Sequence, residues 1–97
     1  MFIVQWKETA LRGLEKIDNS ISSRIFKKAE ELKEGFIGKD IKSIKGEEDT
    51  YRLRVGDYRV IFELKGNLII ILLIGHRKNI YEKFWERNIK RMKNKLS

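Results

Sequence analysis

The chain has no cysteine and only one histidine among its 97 residues. Disulfide bonds and thiolate metal sites are therefore excluded, and a single imidazole is too few for the usual zinc sites. We expect neither a metal centre nor a cofactor.

Long hydrophobic runs are also missing. The longest apolar run, LIIILLI at residues 68–74, has seven residues, whereas a membrane-spanning helix needs roughly 18 or more. Lys7 and Glu8 interrupt the opening segment MFIVQW, which makes it too short for a signal peptide. We expect a cytoplasmic protein with no membrane partner.

Positive charge is abundant, with 22 basic and 14 acidic residues and a formal net charge of +8. Residues 76–97 contribute 8 of the basic and 2 of the acidic residues, so most of the excess follows the last apolar segment. Such a balance favours a polyanionic partner, above all a nucleic acid. The length predicts a single domain spanning residues 1–97, with a core at 1–81 and a basic C-terminal helix at 80–96.

Two segments near the N-terminus have hydrophobic residues at helical spacing. The first contains Ala10, Leu11, Leu14 and Ile17, and the second contains Ile21, Ile25, Phe26, Ala29 and Leu32. We predict a pair of packed antiparallel helices after a first strand at residues 1–6. Asn19 or Ser20 would cap the second helix, and Gly35 would end it.

The second half of the chain changes to strand periodicity. Residues 35–50 lack any period and are interpreted as a loop, after which we predict three antiparallel strands at 51–55, 58–63 or 64, and 68–75. The last strand is apolar almost throughout, which is typical of a strand covered on both faces at the centre of a sheet. A final amphipathic helix would place on one side Ile80, Phe84, Trp85, Ile89 and Met92.

A two-residue turn at Gly56-Asp57 sets the register of the first hairpin and places Arg54 directly opposite Arg59. One face of this hairpin would pack on the helices, and it comprises Tyr51, Leu53, Val55, Tyr58, Val60 and Phe62. The other face would carry Arg52 beside the two opposed arginines. Directly opposed like charges cost stability, and the nearest acid on this face is Glu63. The pattern predicts that an anion is the missing counterpart.

A second turn at Gly66-Asn67 would pair Arg59 with Ile74 and would place His76 on the arginine side, diagonally next to Arg59. Arg77 and Tyr81, just beyond the strand, could fold back towards the same surface. Taken singly, each of these polar residues could be a solvated surface residue, and Tyr81 a core aromatic. Their convergence on one face predicts a shared polyanion site.

The order of elements, together with YRLRVGDYRVIFEL at 51–64 and IGHRKNIYE at 74–82, resembles the RelE/ParE superfamily of toxin-antitoxin toxins, and within it the RelE type. The resemblance extends from Phe2 to about Tyr81. It implies an α+β fold in which an N-terminal strand and a two-helix hairpin pack on a mainly antiparallel, twisted sheet, with an additional C-terminal helix.

The resemblance also implies an activity and partners. Toxins of the RelE type are metal-independent endoribonucleases that enter the ribosomal A site and cut mRNA, and a cognate RelB-type antitoxin restrains them. By position, Arg52 and Arg54 match family lysines beside the scissile phosphate, and Arg59 matches the arginine after the hairpin turn. The remaining matches follow the last strand, where Arg77 corresponds to a family arginine and Tyr81 to a tyrosine near the attacking or stacking position.

His76 falls where the family often has a basic residue. Arginine keeps its proton at any ordinary pH, so it can stabilise negative charge but is a poor general base. Proton transfer would then depend on Tyr81 or His76. The alternatives are a gyrase inhibitor of the ParE type and a non-catalytic RNA-binding homologue. The joint presence of Arg59, Arg77 and Tyr81 favours the nuclease.

Overall fold

A computed structural model describes residues 1–87. In chain order the elements are β1 (Ile3–Trp6), α1 (Glu8–Glu15), α2 (Asn19–Glu30), β2 (Ile41–Ser43), β3 (Thr50–Val55), β4 (Tyr58–Lys65) and β5 (Leu68–His76). A short 3-10 helix, Glu31–Glu34, extends α2. A last helix, α3, begins at residue 80 and is described to residue 87. None of the helices in this part of the chain is long and apolar enough to cross a membrane.

The five strands form one mixed sheet in the order β1-β5-β4-β3-β2. β1 runs parallel to β5, and all the other neighbours are antiparallel. The predicted α+β fold, with a helical hairpin on a mainly antiparallel sheet, is confirmed. β5 lies inside the sheet, as its apolar sequence predicted, although β4 is the central strand.

Part of the predicted loop at 35–50 is a strand. Ile41–Ser43 forms β2, an edge strand that pairs with β3. Backbone hydrogen bonds extend the pairing at both ends, because the Arg54 N–H donates to the Asp40 carbonyl (2.9 Å) and the Ile44 N–H to the Thr50 carbonyl (2.9 Å). Three residues are too few to show a period of two, so pairing with β3 decides the conformation of this segment.

The caps of α2 differ in part from the prediction. The N-cap is Asp18, whose carboxylate accepts hydrogen bonds from the backbone N–H of Ser20 at 3.2 Å and from its hydroxyl at 2.6 Å. Asn19 and Ser20 therefore lie inside the helix, because a carboxylate one residue earlier satisfies its free N–H groups. Gly35 ends the 3-10 extension, as predicted, with a φ of 111° that glycine adopts at little cost.

The main core lies between the sheet and the helical hairpin. The predicted inward face of β3 and β4 is confirmed, and it packs with residues of β5 and both helices. The fully buried side chains of this core include Ile25, Leu32, Phe62, Ile69 and Ile71. α1 lies so close to β5 that a Cβ atom on Gly13 would be 2.6 Å from the carbonyl oxygen of Ile74. The glycine therefore sets the spacing between helix and strand.

A second, smaller core lies on the other face of the sheet, where α3 packs. Its buried members are Ile61, Ile70, Leu72, Ile80 and Phe84. The predicted burial of two α3 residues is thus confirmed, whereas Trp85 is 47% exposed. Residues 88–96 of the predicted helix, including Ile89 and Met92, lie outside the described residues. α3 packs there against Ile61 of β4 and against Ile70 and Leu72 of β5. The same face of the sheet carries the arginines of β3 and β4.

Candidate polyanion site

The register of the β3–β4 hairpin is the predicted one. Arg54 pairs with Arg59, Val55 with Tyr58 and Arg52 with Ile61. β2 adds Lys42, which lies directly opposite Arg52 and therefore on the same face. Lys42 was not among the predicted site residues, because residues 35–50 were interpreted as a loop.

Asp40 is the carboxylate nearest to the first two arginines. One of its oxygens lies 3.3 Å from Arg52 Nη1, and the other lies 3.6 Å from Arg54 Nη1. The expectation that Glu63 is the nearest acid is therefore wrong. The side chain of Arg52 is 14% exposed and that of Arg54 is 56% exposed. Exposed ion pairs typically contribute about 0–1 kcal/mol, so an incoming phosphate can compete with Asp40 for Arg54.

The other two arginines converge on the Gly56-Asp57 turn. Arg59 Nη1 donates to the carbonyls of Gly56 (2.9 Å) and Tyr58 (3.0 Å). The Arg77 backbone N–H donates to the Asp57 carbonyl at 2.8 Å, and its Nε lies 3.7 Å from the Asp57 carboxylate. The structure therefore brings Arg77 back to the hairpin, as predicted.

His76 does not lie on the arginine face. It pairs with Tyr58, and the two ring centroids are 5.5 Å apart on the face that packs against the helices. The register of β4 and β5 shifts by one between Phe62, which faces Ile71, and Ile61, which faces Leu73. The extra β5 residue forms a bulge, which reverses the side-chain alternation beyond it. The predicted pairing of Arg59 with Ile74 is wrong for the same reason, since Arg59 faces Gly75.

Tyr81 lies in the first turn of α3 and is 37% exposed. The preceding residue, Ile80, packs against Gly75, where a Cβ atom would be 2.9 Å from Ile80 Cδ1. Since Gly75 is the register partner of Arg59, the start of α3 lies beside the arginine face. Within residues 1–87 no side-chain hydrogen bond or ring contact joins Tyr81 to Arg52, Arg54, Arg59 or Arg77.

The arginine face is defined here as Lys42, Arg52, Arg54, Arg59 and Arg77, with Asp40 and Asp57 as its two contacting carboxylates. Five cations and two carboxylates leave an excess of positive charge. Guanidinium groups present several donors in a planar fork that matches the oxygens of a phosphodiester. In the described part of the chain, no group of three or more acidic or histidine side chains could hold a metal ion.

Comparisons with known proteins agree with this architecture. Residues 4–81 match the family model of the ParE toxin of the type II toxin-antitoxin system parDE. The toxin RelE3 of Methanocaldococcus jannaschii is 36% identical over 85 residues, which cover 84% of this chain and 97% of that protein.

Solved structures show the same fold. The RelB-RelE antitoxin-toxin complex of Methanococcus jannaschii matches with a TM-score of 0.70 and 35% identity, covering 82% of this chain and 98% of the matched chain. A free-state variant of the Escherichia coli toxin RelE matches with a TM-score of 0.72 over 93% of this chain and 96% of its own, at 17% identity, and supports the fold alone. The chain therefore belongs to the RelE/ParE superfamily of type II toxin-antitoxin toxins and is a toxin of the RelE type.

Proposed function

We propose that this toxin is a ribosome-dependent, metal-independent endoribonuclease that cuts mRNA in the A site and so inhibits translation. The observation that carries the proposal is the direct opposition of Arg54 and Arg59 on a face where cations outnumber carboxylates. Such an arrangement costs stability when it is empty. A phosphodiester between the two guanidinium groups would offset that cost.

The reaction would be an internal transfer at phosphorus. The ribose 2′-oxygen attacks the adjacent phosphate, a bond from that oxygen to phosphorus forms, and the bond to the 5′-oxygen breaks. The products are a 2′,3′-cyclic phosphate and a 5′-hydroxyl. The 2′-hydroxyl loses one proton and the leaving oxygen gains one, so no water is consumed. Negative charge builds up on the phosphate oxygens in the transition state and requires positioned cations.

The residues divide into groups by role. Arg54 and Arg59 would hold the non-bridging oxygens, and Arg77 would neutralise the leaving group at the end of the hairpin. Arg52 is largely buried and would act as a positioning residue together with Asp40. Tyr81, in the first turn of α3 beside the arginine face and 37% exposed, would take the proton of the 2′-hydroxyl as the phenolate. Solvent water would supply the proton that the leaving 5′-oxygen gains. We assign no proton transfer to His76, whose ring lies on the opposite face.

A cognate antitoxin of the RelB type would be the protein partner. The matched Methanococcus jannaschii toxin was solved as a complex with its RelB antitoxin. A segment with acidic side chains would bind the arginine face in place of RNA, because both ligands present oxygen acceptors to the same guanidinium groups.

Inhibition of gyrase in the manner of ParE is the second candidate function. The match of residues 4–81 to the ParE family model favours it. A gyrase inhibitor acts by binding a protein, so it would not require a tyrosine and several arginines arranged around one phosphate.

A cleavage assay with purified toxin, ribosomes and mRNA tests the proposal. We expect cuts within A-site codons, and a loss of roughly 10²- to 10³-fold in rate for Arg59→Ala and for Arg77→Ala, by analogy with removal of one oxyanion donor. Lys65→Ala is the matched control, because Lys65 is an exposed cation at the far end of β4. Intact mRNA would contradict the nuclease, and stalled gyrase-DNA complexes in a parallel assay would support the second candidate.

A further inference from the structure

A second basic surface lies outside the arginine face, in a cleft of about 420 Å³ between α1, the end of β5 and the start of α3. Its cationic side chains are Arg12 from α1, Lys16 at the C-cap of α1 and Lys83 from α3. Its polar lining includes His76, Tyr58 and Asn79. Among the described residues, no carboxylate lines this cleft.

The cleft exists because β5 is longer than its neighbour β1. β1 ends at Trp6, which pairs with Ile71, so β1 does not pair with the outer edge of β5 beyond that residue. Two glycines bring the flanking helices close to this edge. Gly13 allows α1 to approach the Ile74 carbonyl, and Gly75 accommodates Ile80 at the start of α3. The edge of β5 therefore forms the floor of the cleft and the two helices form its walls.

Hydrogen-bond donors as well as charges line this surface. His76 Nδ1 accepts a hydrogen bond from the Lys78 backbone N–H at 3.2 Å. A neutral imidazole with an acceptor at Nδ1 carries its proton at Nε2, so the other ring nitrogen is a donor. The Thr9 hydroxyl, in contrast, donates to the Leu72 carbonyl at 2.7 Å. The histidine that does not belong to the arginine face thus contributes a donor here.

In the described part of the chain, one acidic side chain forms an ion pair with a cation of the cleft. Glu8 Oε1 lies 2.7 Å from Arg12 Nη2, one turn earlier in α1. The pair is exposed on both sides, and pairs of this i,i+4 kind contribute about 0.3–0.5 kcal/mol. Among residues 1–87, no carboxylate forms an ion pair with Lys16 or Lys83, and Glu8 is only a weak competitor at Arg12.

We propose that this cleft binds a phosphate of an RNA backbone and is a second contact on the strand that the arginine face holds. The inference rests on the proposed function for the choice of RNA. Tyr58 borders the cleft, and the next residue, Arg59, points to the opposite face, so both sites lie at the same end of the sheet. A polynucleotide has repeating phosphates and can contact both sites, whereas a single small anion can contact only one.

The test uses a fluorescent 20-nucleotide RNA with 2′-O-methyl riboses, which lacks the attacking hydroxyl. Its affinity is measured by anisotropy over a range of salt concentrations. The cleft variant is Lys16→Gln with Lys83→Gln, and the matched control is Lys27→Gln with Lys65→Gln, which removes the same charge from exposed positions elsewhere. For single strands, each lost phosphate contact lowers the salt slope by about 0.7.

We expect the cleft variant to lose about 0.7 from the slope of log affinity against log salt, because the cleft binds one phosphate, and the control to keep the parent slope. Arg12→Gln, a single exposed change, repeats the test independently of the double variant. Equal slopes for the cleft variants, the control and the parent would overturn the proposal. Competition by a polyglutamate peptide at the same strength as RNA would also overturn it, in favour of an acidic protein ligand.

The two proposals fail separately. Binding of the methylated RNA does not require cleavage, so a slope change in the cleft variants would stand even if ribosomes with toxin left mRNA intact. Conversely, normal slopes in the cleft variants combined with cleavage that Arg59→Ala abolishes would remove the cleft and leave the nuclease.

Discussion

Arg54 and Arg59 lie directly opposite each other across β3 and β4, on the face of the sheet away from the helical hairpin. Opposed like charges are destabilising, and a cross-strand pair typically changes stability by roughly 0.2–1 kcal/mol. We therefore expect Arg54→Thr to raise the free energy of unfolding by an amount in this range, measured by urea denaturation, and to lower the cleavage rate. The control is Lys65→Thr, because Lys65 lies opposite Leu68 and has no like charge across the strands. A less stable Arg54→Thr protein would show that the pair is not under repulsion.

Asp40 restrains the guanidinium groups of Arg52 and Arg54 at 3.3 and 3.6 Å. Asp40→Asn removes the competing charge but keeps the backbone carbonyl that pairs with Arg54. We expect tighter binding of single-stranded RNA and a steeper salt dependence. The free energy of unfolding should change by about 1 kcal/mol or less, because the Asp40 carboxylate is 45% exposed and solvent screens its pairs. Weaker RNA binding would indicate that Asp40 is needed to orient the arginines. Asp18→Asn, at the N-cap of α2, provides the same charge change away from the site.

Gly13 sits where α1 touches the backbone of β5, and a Cβ atom there would be 2.6 Å from the Ile74 carbonyl oxygen. Gly13→Ala should destabilise the fold by about 1–3 kcal/mol, the usual cost of overpacking, because a strand backbone cannot move aside as a flexible side chain can. Alanine is otherwise the better helix former by about 1 kcal/mol. A lower free energy of unfolding would therefore show that overpacking outweighs helix propensity, and a higher one the reverse. Ser23→Ala, at an exposed position of α2, should be neutral or stabilising in the same thermal or urea measurement.

Binding of a cognate antitoxin should stabilise the toxin through linkage. Free antitoxin at 100 times its Kd adds about 2.7 kcal/mol to the free energy of unfolding, and a domain of this size gains about 4–8 °C in Tm per kcal/mol. We expect a rise in Tm that depends on antitoxin concentration, together with a complex on size-exclusion chromatography. Thermal unfolding curves that are identical with and without antitoxin, together with no complex on size-exclusion chromatography, would count against this partner. Arg59→Glu should reduce the rise if the antitoxin covers the arginine face.

The hairpin register was predictable from the sequence because a two-residue turn at Gly56-Asp57 leaves only one pairing for its neighbours. Gly56 has a φ of 59°, a conformation that glycine adopts at little cost. In the second hairpin, the register predicted from its turn was wrong beyond Phe62. Its turn was correct, with Lys65 opposite Leu68, but a bulge after the fourth pair moved His76 to the other face. LIIILLI is apolar at every position, so it contains no alternation from which the extra residue could be located.

Local chemistry by itself thus determined the helices, the two tight turns, the opposed arginines and the family to which the chain is related. Tertiary packing decided three further points. Asp40 and Lys42 lie in the site because residues 41–43 pair with β3 as a short strand, although their segment has no hydrophobic periodicity. His76 lies outside the site because β5 contains one extra residue, a bulge, between the two cores that pack on opposite faces of the sheet. α3 packs on the arginine side of the sheet because Ile80 fits against a glycine. These outcomes depend on contacts between residues distant in sequence, which no local pattern records.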